Sequence, residues 1–106
     1  MSTRNGFLKA FRALHVRGQP IVFTNVYDAV TTPAVLGLPS VKAIATASYA
    51  VAVVARFKDD GMTLETNLAA LRALASVAKE FQNPLSANWQ DGYGDRLEDG
   101  IKAIVD

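Results

Sequence analysis

Short apolar runs alternate along the chain with longer segments in which apolar residues recur at helical spacing. The runs are short, mostly apolar and lie next to Gly, Pro, Asn or Asp; they cover residues 21–25, 41–46 and 85–88. Each run predicts a short buried strand. Strands that alternate with helices form parallel sheets covered by helices, so the expected fold class is α/β.

Helical patterns fill the intervals, at residues 3–16, 29–36, 63–81 and 96–105. In the first pattern, Phe7, Phe11 and Leu14 fall on one face, which indicates a helix that docks on the sheet. Asp28 is expected to cap the second helix, which has Pro33 in its first turn. Continuous apolar sequence does not separate helix from strand, so residues 47–55 fit either a short helix or a turn.

The third pattern predicts the longest helix of the chain. The hydroxyl of Thr63 is expected to cap its first turn. Its apolar stripe comprises Leu64, Leu68, Leu71, Ala75 and Ala78, widened by Leu74, Val77 and Phe81. The pattern ends before Asn83 and Pro84, so this helix is expected to stop near residue 81.

Composition narrows the class of protein. The chain has 106 residues, of which 50% are hydrophobic and 20% charged, and this predicts one folded domain. The absence of cysteine excludes disulfides, thiolate metal sites and cysteine nucleophiles. No apolar stretch reaches the length of a membrane span.

Charge is unevenly distributed between the two halves. Residues 1–58 carry seven Lys/Arg and one acid, whereas residues 59–106 carry four Lys/Arg and nine acids. The basic residues are scattered without an aromatic cluster, so we expect no nucleic-acid surface. The first 18 residues have three arginines and no acid, which fits either a docking helix or a mitochondrial targeting peptide. The docking helix is the preferred interpretation, and a cytoplasmic protein is expected.

Candidate chemistry lies where the predicted strands end, because parallel α/β folds bind ligands there. Three loops qualify, at residues 25–28, 46–49 and 88–94. The second loop offers hydroxyls and backbone N–H groups, so it is either an anion site or a turn capped by Ser48. The third loop, together with Asp59 and Asp60, offers carboxylates that are either ligands for Mg²⁺ or simply solvated.

Other residues give weaker signals. His15 is the single histidine, and it lies far from the strand ends in sequence, so a structural role is expected. The segment Gly92-Tyr93-Gly94 lacks the spacing and the lysine of a phosphate-binding loop. The rings of Trp89 and Tyr93 are expected either to stack on a ligand or to pack against a neighbouring loop.

Several motifs, read in order, resemble the phosphoenolpyruvate mutase/isocitrate lyase superfamily. They are FRALH at residues 11–15, TNVYDA at 24–29, AIATASYAVA at 43–52, DD at 59–60 and PLSANWQDGYGD at 84–95. The resemblance implies a (β/α)8 barrel, typically of about 250 residues. The expected fold is therefore a partial TIM barrel, with an N-terminal helix and about three βα units forming one truncated domain over residues 1–106.

The resemblance also implies the chemistry. Members are Mg²⁺-dependent lyases or phosphonomutases that act on C–C or P–C bonds of small 2-oxo acids. A chain that carries only the N-terminal part of such an enzyme is expected to be inactive alone. The alternatives are a non-catalytic remnant and a small α/β binding or interaction module. Open sheet edges also predict self-association or a homo-oligomer.

Individual site residues follow from the resemblance. Tyr27 and the segment Thr46, Ala47 and Ser48 would bind the 2-oxo acid or an oxalate-like anion. Asp59 would be a catalytic residue near the metal and its waters, and also one of the metal ligands. Asn88 and Gln90 stand at metal-ligand positions where members usually carry acids. The loss of these charges is expected to weaken Mg²⁺ binding, and Arg56, where members have glycine, is expected to distort the Asp59 loop.

Overall fold

The computed structural model of the protein describes residues 4–94, 98–99 and 102. Its elements are α1 (Arg4–Ala13), β1 (Phe23–Val26), α2 (Thr32–Leu36), β2 (Ala43–Thr46), α3 (Ser48–Val54), a 3-10 helix (Asp59–Gly61), α4 (Leu64–Glu80) and β3 (Leu85–Ser86). The predicted alternation of strands and helices is confirmed. The helix predicted over residues 96–105 lies almost entirely outside the described residues.

The three strands form one parallel sheet in the order β1-β2-β3. Val26 pairs with Thr46 and Ile44 pairs with Leu85, so all three strands end on the same side. We call this side the carboxyl edge; it consists of residues 27–28, 46–48 and 87–94. The sheet is that of a small α/β fold built from βα units.

Helix α4 packs on the sheet and contributes Leu71, Leu74 and Ala78 to the core. Ile44 and Leu74 are fully buried, in a cluster with Val26, Leu36 and Ala78. A second cluster joins α3 to the 3-10 helix region through Val51, Ala52 and Met62. Burial of apolar area in these two clusters is the main favourable contribution to folding.

Both ends of α4 have specific caps. As predicted, Thr63 caps the first turn, since its Oγ1 accepts the Thr66 N–H at 3.2 Å. At the other end the Asn83 N–H donates to the Ala78 carbonyl at 2.9 Å, and Gln82 is left-handed with φ of 54°. This is the Schellman arrangement, and it ends the helix one residue before the predicted limit.

Helix α3 ends in the same way, which bears on the Asp59 loop. The Phe57 N–H donates to the Ala52 carbonyl at 2.8 Å, and Arg56 has φ of 65°. A left-handed residue other than glycine costs about 1 kcal/mol. Glycine adopts this conformation more readily, so Arg56 adopts it at some cost in stability.

The start of α2 was predicted wrongly. The helix begins at Thr32 and not at residue 29. Asp28 instead closes the preceding turn, because its Oδ1 accepts the Thr31 N–H at 2.8 Å and the Thr31 hydroxyl. The Thr31 hydroxyl, and then the Thr31 N–H, hold the pKa of Asp28 below its ordinary value. The segment at residues 47–55, by contrast, forms the helix α3 that was one of its two interpretations.

Helix α1 docks beside the amino end of β1. The Phe11 ring lies edge-on to Phe23, with 6.0 Å between the ring centroids. His15 packs edge-on against Phe11, and its Nδ1 lies 2.9 Å from the Phe11 carbonyl oxygen. These contacts agree with the structural role predicted for His15. The side chain of Phe7, the first residue of the predicted docking face, lies outside the described set.

Candidate functional site at the carboxyl edge

The end of β2 is joined directly to the loop that follows β3. Thr46 is 6% exposed, and its Oγ1 accepts the Asn88 N–H at 2.8 Å. A hydroxyl that accepts a backbone N–H from the neighbouring strand-end loop fixes the two loops relative to each other. The structure therefore brings two of the three loops selected from the sequence into direct contact.

The loop at residues 88–94 is tightly folded on itself. Asn88 Oδ1 accepts the Gln90 N–H at 2.9 Å, and Asp91 Oδ1 accepts the Tyr93 N–H at 3.0 Å. The backbone is left-handed at Gln90 (φ 50°), Gly92 (φ 93°) and Tyr93 (φ 61°). Only glycine adopts this region without cost, so the fold of the loop depends on its side-chain hydrogen bonds.

Gln90 reaches back from this loop to the 3-10 helix. Its Nε2 donates to Asp59 Oδ1 at 2.7 Å and to the Asp59 backbone carbonyl at 2.8 Å. Both partners are acceptors, so only the NH₂ end of the carboxamide suits this position. Gln90 and Asp59, two residues predicted for the metal side of the site, therefore contact each other directly.

An open cleft of about 630 Å³ lies between the loop and the 3-10 helix. It is lined by Asp59, Asp60, Met62, Gln90, Asp91, Tyr93 and Gly94. Burial raises the pKa of the Tyr93 hydroxyl, a hydrogen bond from Asn67 opposes this, and the charges of Asp91 and Asp59 raise it further. Three carboxylates on one cleft create a negative potential that favours cations and disfavours free anions.

The donor groups at the predicted metal positions do not fit Mg²⁺ as they are arranged. Asp59 Oδ1 already accepts from Gln90, and Asn88 Oδ1 already accepts the Gln90 N–H. The NH₂ group of Gln90 stands beside the carboxylate, where a cation would be repelled by its positive hydrogens. Within the described residues, no three His, Cys, Asp or Glu side chains are placed to hold a metal ion. Mg²⁺ binding at this site therefore stays a prediction.

The residues predicted for the substrate side lie at the same edge. Ala47 is the N-cap of α3 and Ser48 is its first residue, directly after β2. Tyr27 follows β1 and is 39% exposed. Tyr27 and Ala47 directly follow Val26 and Thr46, which form the last pair of the register between β1 and β2. The described residues form no hydrogen bond that links Tyr27 to this segment, and its binding role stays a prediction.

Trp89 and Tyr93 pack against each other. Their rings meet edge-on, with centroids 5.2 Å apart. Both rings belong to the loop at residues 88–94, so this contact does not decide between stacking on a ligand and packing against a neighbouring loop. Tyr93 also lines the cleft, and its hydroxyl lies 2.9 Å from Asn67 Nδ2.

One site residue was missed from the sequence. Asn67 of α4 is fully buried, and its Nδ2 donates to the Asn88 carbonyl at 3.1 Å and to the Tyr93 hydroxyl at 2.9 Å. The buried face of α4 is Asn67, Leu71, Leu74 and Ala78, at helical spacing. A polar residue on the buried face of a helix was the signal that could have identified Asn67.

Comparison with known proteins identifies the family. A family model described as phosphoenolpyruvate phosphomutase matches residues 11–106. No curated protein and no solved structure matches the chain. A search of the described residues finds no helix with the length and apolar character needed to cross a membrane.

Proposed function

Because the chain belongs to the phosphoenolpyruvate phosphomutase family, we propose that its carboxyl edge is the substrate face of a domain for small 2-oxo acids. The chemistry proposed for the domain is that of a lyase or phosphonomutase on C–C or P–C bonds. The observation that carries this proposal is the convergence of residues from separate elements at one edge. Thr46 is hydrogen-bonded to Asn88, and Gln90 is hydrogen-bonded to Asp59.

The substrate side is proposed to be the β2–α3 junction. Thr46, Ala47 and Ser48 follow one another where a strand turns into a helix, and Tyr27 lies at the end of the adjacent strand. Hydroxyls and backbone N–H groups at such a junction suit a carboxylate. Among the described residues, β1 with α2 and β2 with α3 and α4 form parallel βα units of the kind expected in a (β/α)8 barrel, whose closure needs strands beyond β1–β3.

We propose that the site binds a metal ion only weakly. Of the three expected ligand positions, only Asp59 carries a charge, and Gln90 already occupies its Oδ1. The three acids of the cleft repel a free dianion unless a cation offsets them. We therefore propose that the native chain binds its acid weakly and does not turn it over.

A second candidate function, binding without turnover, is favoured by the same Gln90–Asp59 contact. A carboxylate that is satisfied by an amide has no need of a metal for stability. Neither candidate predicts turnover by the native chain, so the response to restored acids separates them: a lyase-type site should gain oxalate binding that needs Mg²⁺, whereas a metal-free binding module should not. Exposed apolar side chains such as Val22 (78%) and Val30 (86%) support the proposed self-association, which sedimentation velocity would measure on the same samples.

The test restores the two acids. Calorimetry would measure oxalate binding to the native chain and to Asn88→Asp/Gln90→Glu, each with EDTA and with about 10 mM Mg²⁺. We expect the double variant with Mg²⁺ to bind oxalate at least about tenfold more tightly than the native chain, a difference of about 1.4 kcal/mol. Mg²⁺ should change the affinity of the native chain by less than about threefold.

The control is Gln19→Glu/Gln82→Glu, which also replaces two amides with acids, at exposed positions outside the carboxyl edge. It should leave oxalate binding at the native level. A folded Asn88→Asp/Gln90→Glu variant that binds no oxalate with Mg²⁺ present would show that this edge is not a 2-oxo acid site.

A further inference from the structure

Asn67 occupies a position where an apolar residue would be the simplest choice. It lies on the face of α4 that continues through Leu71, Leu74 and Ala78, and it is 0% exposed. Its Oδ1 is buried and has no hydrogen-bond partner among the described residues. Burying an amide oxygen without a partner costs free energy that a leucine would not cost. Stability of the core alone does not explain an asparagine here.

The two hydrogen bonds of Asn67 explain it better. One Nδ2 proton goes to the carbonyl of Asn88, where the loop begins, and the other goes to the hydroxyl of Tyr93, near its end. A single side chain on a rigid helix thus fixes both ends of the loop. Between these two points lies Gln90, whose side chain reaches Asp59.

We propose that Asn67 is the positioning residue of the carboxyl edge, which holds the loop at residues 88–94 so that Gln90 faces Asp59 and Tyr93 lines the cleft. The proposal rests on the proposed function only in treating this edge as a ligand site. Asn67 itself does not line the cleft, and it acts through Asn88 and Tyr93. Residues that orient a binding site without touching its ligand typically weaken ligand affinity about tenfold or more when they are removed.

The chain contains a matched control for this role. Asn83 also has a buried Oδ1 without a partner among the described residues, and its Nδ2 donates to a backbone carbonyl, that of Val41, at 3.2 Å. It lies before β3, at the opposite side of the sheet from the cleft. Asn83→Leu therefore removes a comparable bond from a comparable residue without touching the loop.

The first experiment reads the Tyr93 hydroxyl. Ultraviolet titration of the tyrosines, with Tyr93→Phe as the reference, would be compared in native, Asn67→Leu and Asn83→Leu proteins. The Asn67 bond lowers the pKa of Tyr93 against its burial. Asn67→Leu should therefore move this pKa, upward where Tyr93 stays buried without its donor and downward where the released loop exposes the phenol, whereas Asn83→Leu should leave it at the native value. No shift in a folded Asn67→Leu variant would overturn the proposal.

The second experiment reads the site and separates the two proposals. In the Asn88→Asp/Gln90→Glu background with Mg²⁺, Asn67→Leu should weaken oxalate binding about tenfold, and Asn83→Leu should not. If that background binds no oxalate, the proposed function fails while the Tyr93 titration still decides the role of Asn67. Equal losses from both asparagine variants would reduce Asn67 to a general structural residue and overturn the inference.

A measurement on the native chain covers the case in which Asn67→Leu does not fold. In the native chain, the chemical shifts of the Asn67 side-chain ¹⁵N–H₂ group should change as the Tyr93 phenol ionises. In Tyr93→Phe, these shifts should not change over the same pH range. Resonances of Asn83 should not move. An Asn67 signal that is indifferent to ionisation of Tyr93 would contradict the contact on which the proposal depends.

Discussion

The two ends of α4 are organised around the same residue type and yet differ in what they hold together. At the beginning of the helix, Asn67 bonds a backbone carbonyl and a tyrosine hydroxyl of the carboxyl edge. Just after the helix, the Asn83 side chain donates, within the described part of the chain, only to the backbone carbonyl of Val41. The Asn83 side chain therefore bonds a backbone group only. The Asn67 side chain also bonds the side chain of Tyr93, which lines the cleft.

This difference shows which end of the sheet can carry chemistry. The Asn83 end is closed by a Schellman motif and by one hydrogen bond from a side-chain amide, which suits a purely structural connection. The Asn67 end holds three carboxylates, a hydroxyl and a carboxamide around an open space of about 630 Å³. Polar groups are maintained there at the expense of packing, as is common at functional sites.

The largest expected effect comes from removing the support that both ends share. Leu74 is fully buried between them, in contact with the sheet core. We expect Leu74→Ala to lower the free energy of unfolding by about 2–5 kcal/mol, measured by urea denaturation. Leu38→Ala, at a side chain that is 55% exposed, should cost less than about 0.5 kcal/mol. Equal losses in the two variants would mean that α4 does not form the core described.

A smaller effect is expected from a charge placed at the Asn67 end only. Gln90→Glu removes the amide that donates to Asp59 and puts a second carboxylate there. We expect a loss of about 1–2 kcal/mol at neutral pH, because a charge-assisted hydrogen bond is replaced by like-charge repulsion. About 10 mM Mg²⁺ should recover part of this loss in thermal unfolding, and should leave the native chain unchanged.

The control for Gln90→Glu changes a residue at the other end of α4, next to Asn83. Gln82→Glu makes the same change beside Asn83, away from the cleft acids. It should neither destabilise the chain comparably nor respond to Mg²⁺. A Gln90→Glu variant that is as stable as the native chain, or that ignores Mg²⁺, would show that Asp59 and Gln90 do not face each other in solution.

Much of the fold follows from patterns that are local in sequence. The strand at β2 and the Thr63 cap of α4 were predicted because apolar runs and capping hydroxyls act over a few residues. The start of α2 was missed because Asp28 has two local uses, as a helix cap and as the acceptor of a turn. The sequence does not decide between them; the position of Thr31 does.

The site was predictable in its members but not in its contacts. The end of each strand was selected because parallel strands share a carboxyl edge, and Thr46 and Asn88 do meet there. The resemblance placed Asp59 and Gln90 at one site, but only the fold of the loop showed that an amide hydrogen faces the carboxylate. Asn67 was missed because its partners are 21 and 26 residues away in sequence.

The smallest expected effect sharpens the comparison through pH. Burial is the main cause that raises the pKa of Tyr93 above its ordinary value of 10.0, so the folded state holds this proton more tightly than the unfolded state does. Stability should therefore be unaffected below that value and should fall as pH rises through the raised pKa. Tyr93→Phe should flatten this alkaline loss, whereas Tyr49→Phe, at a ring that is 69% exposed, should not. The difference should be modest, because Tyr93 is only half-buried and solvent screens its charge. Urea unfolding of the three proteins across the alkaline range would measure it, and identical slopes would show that the Asn67 end does not shield the Tyr93 hydroxyl.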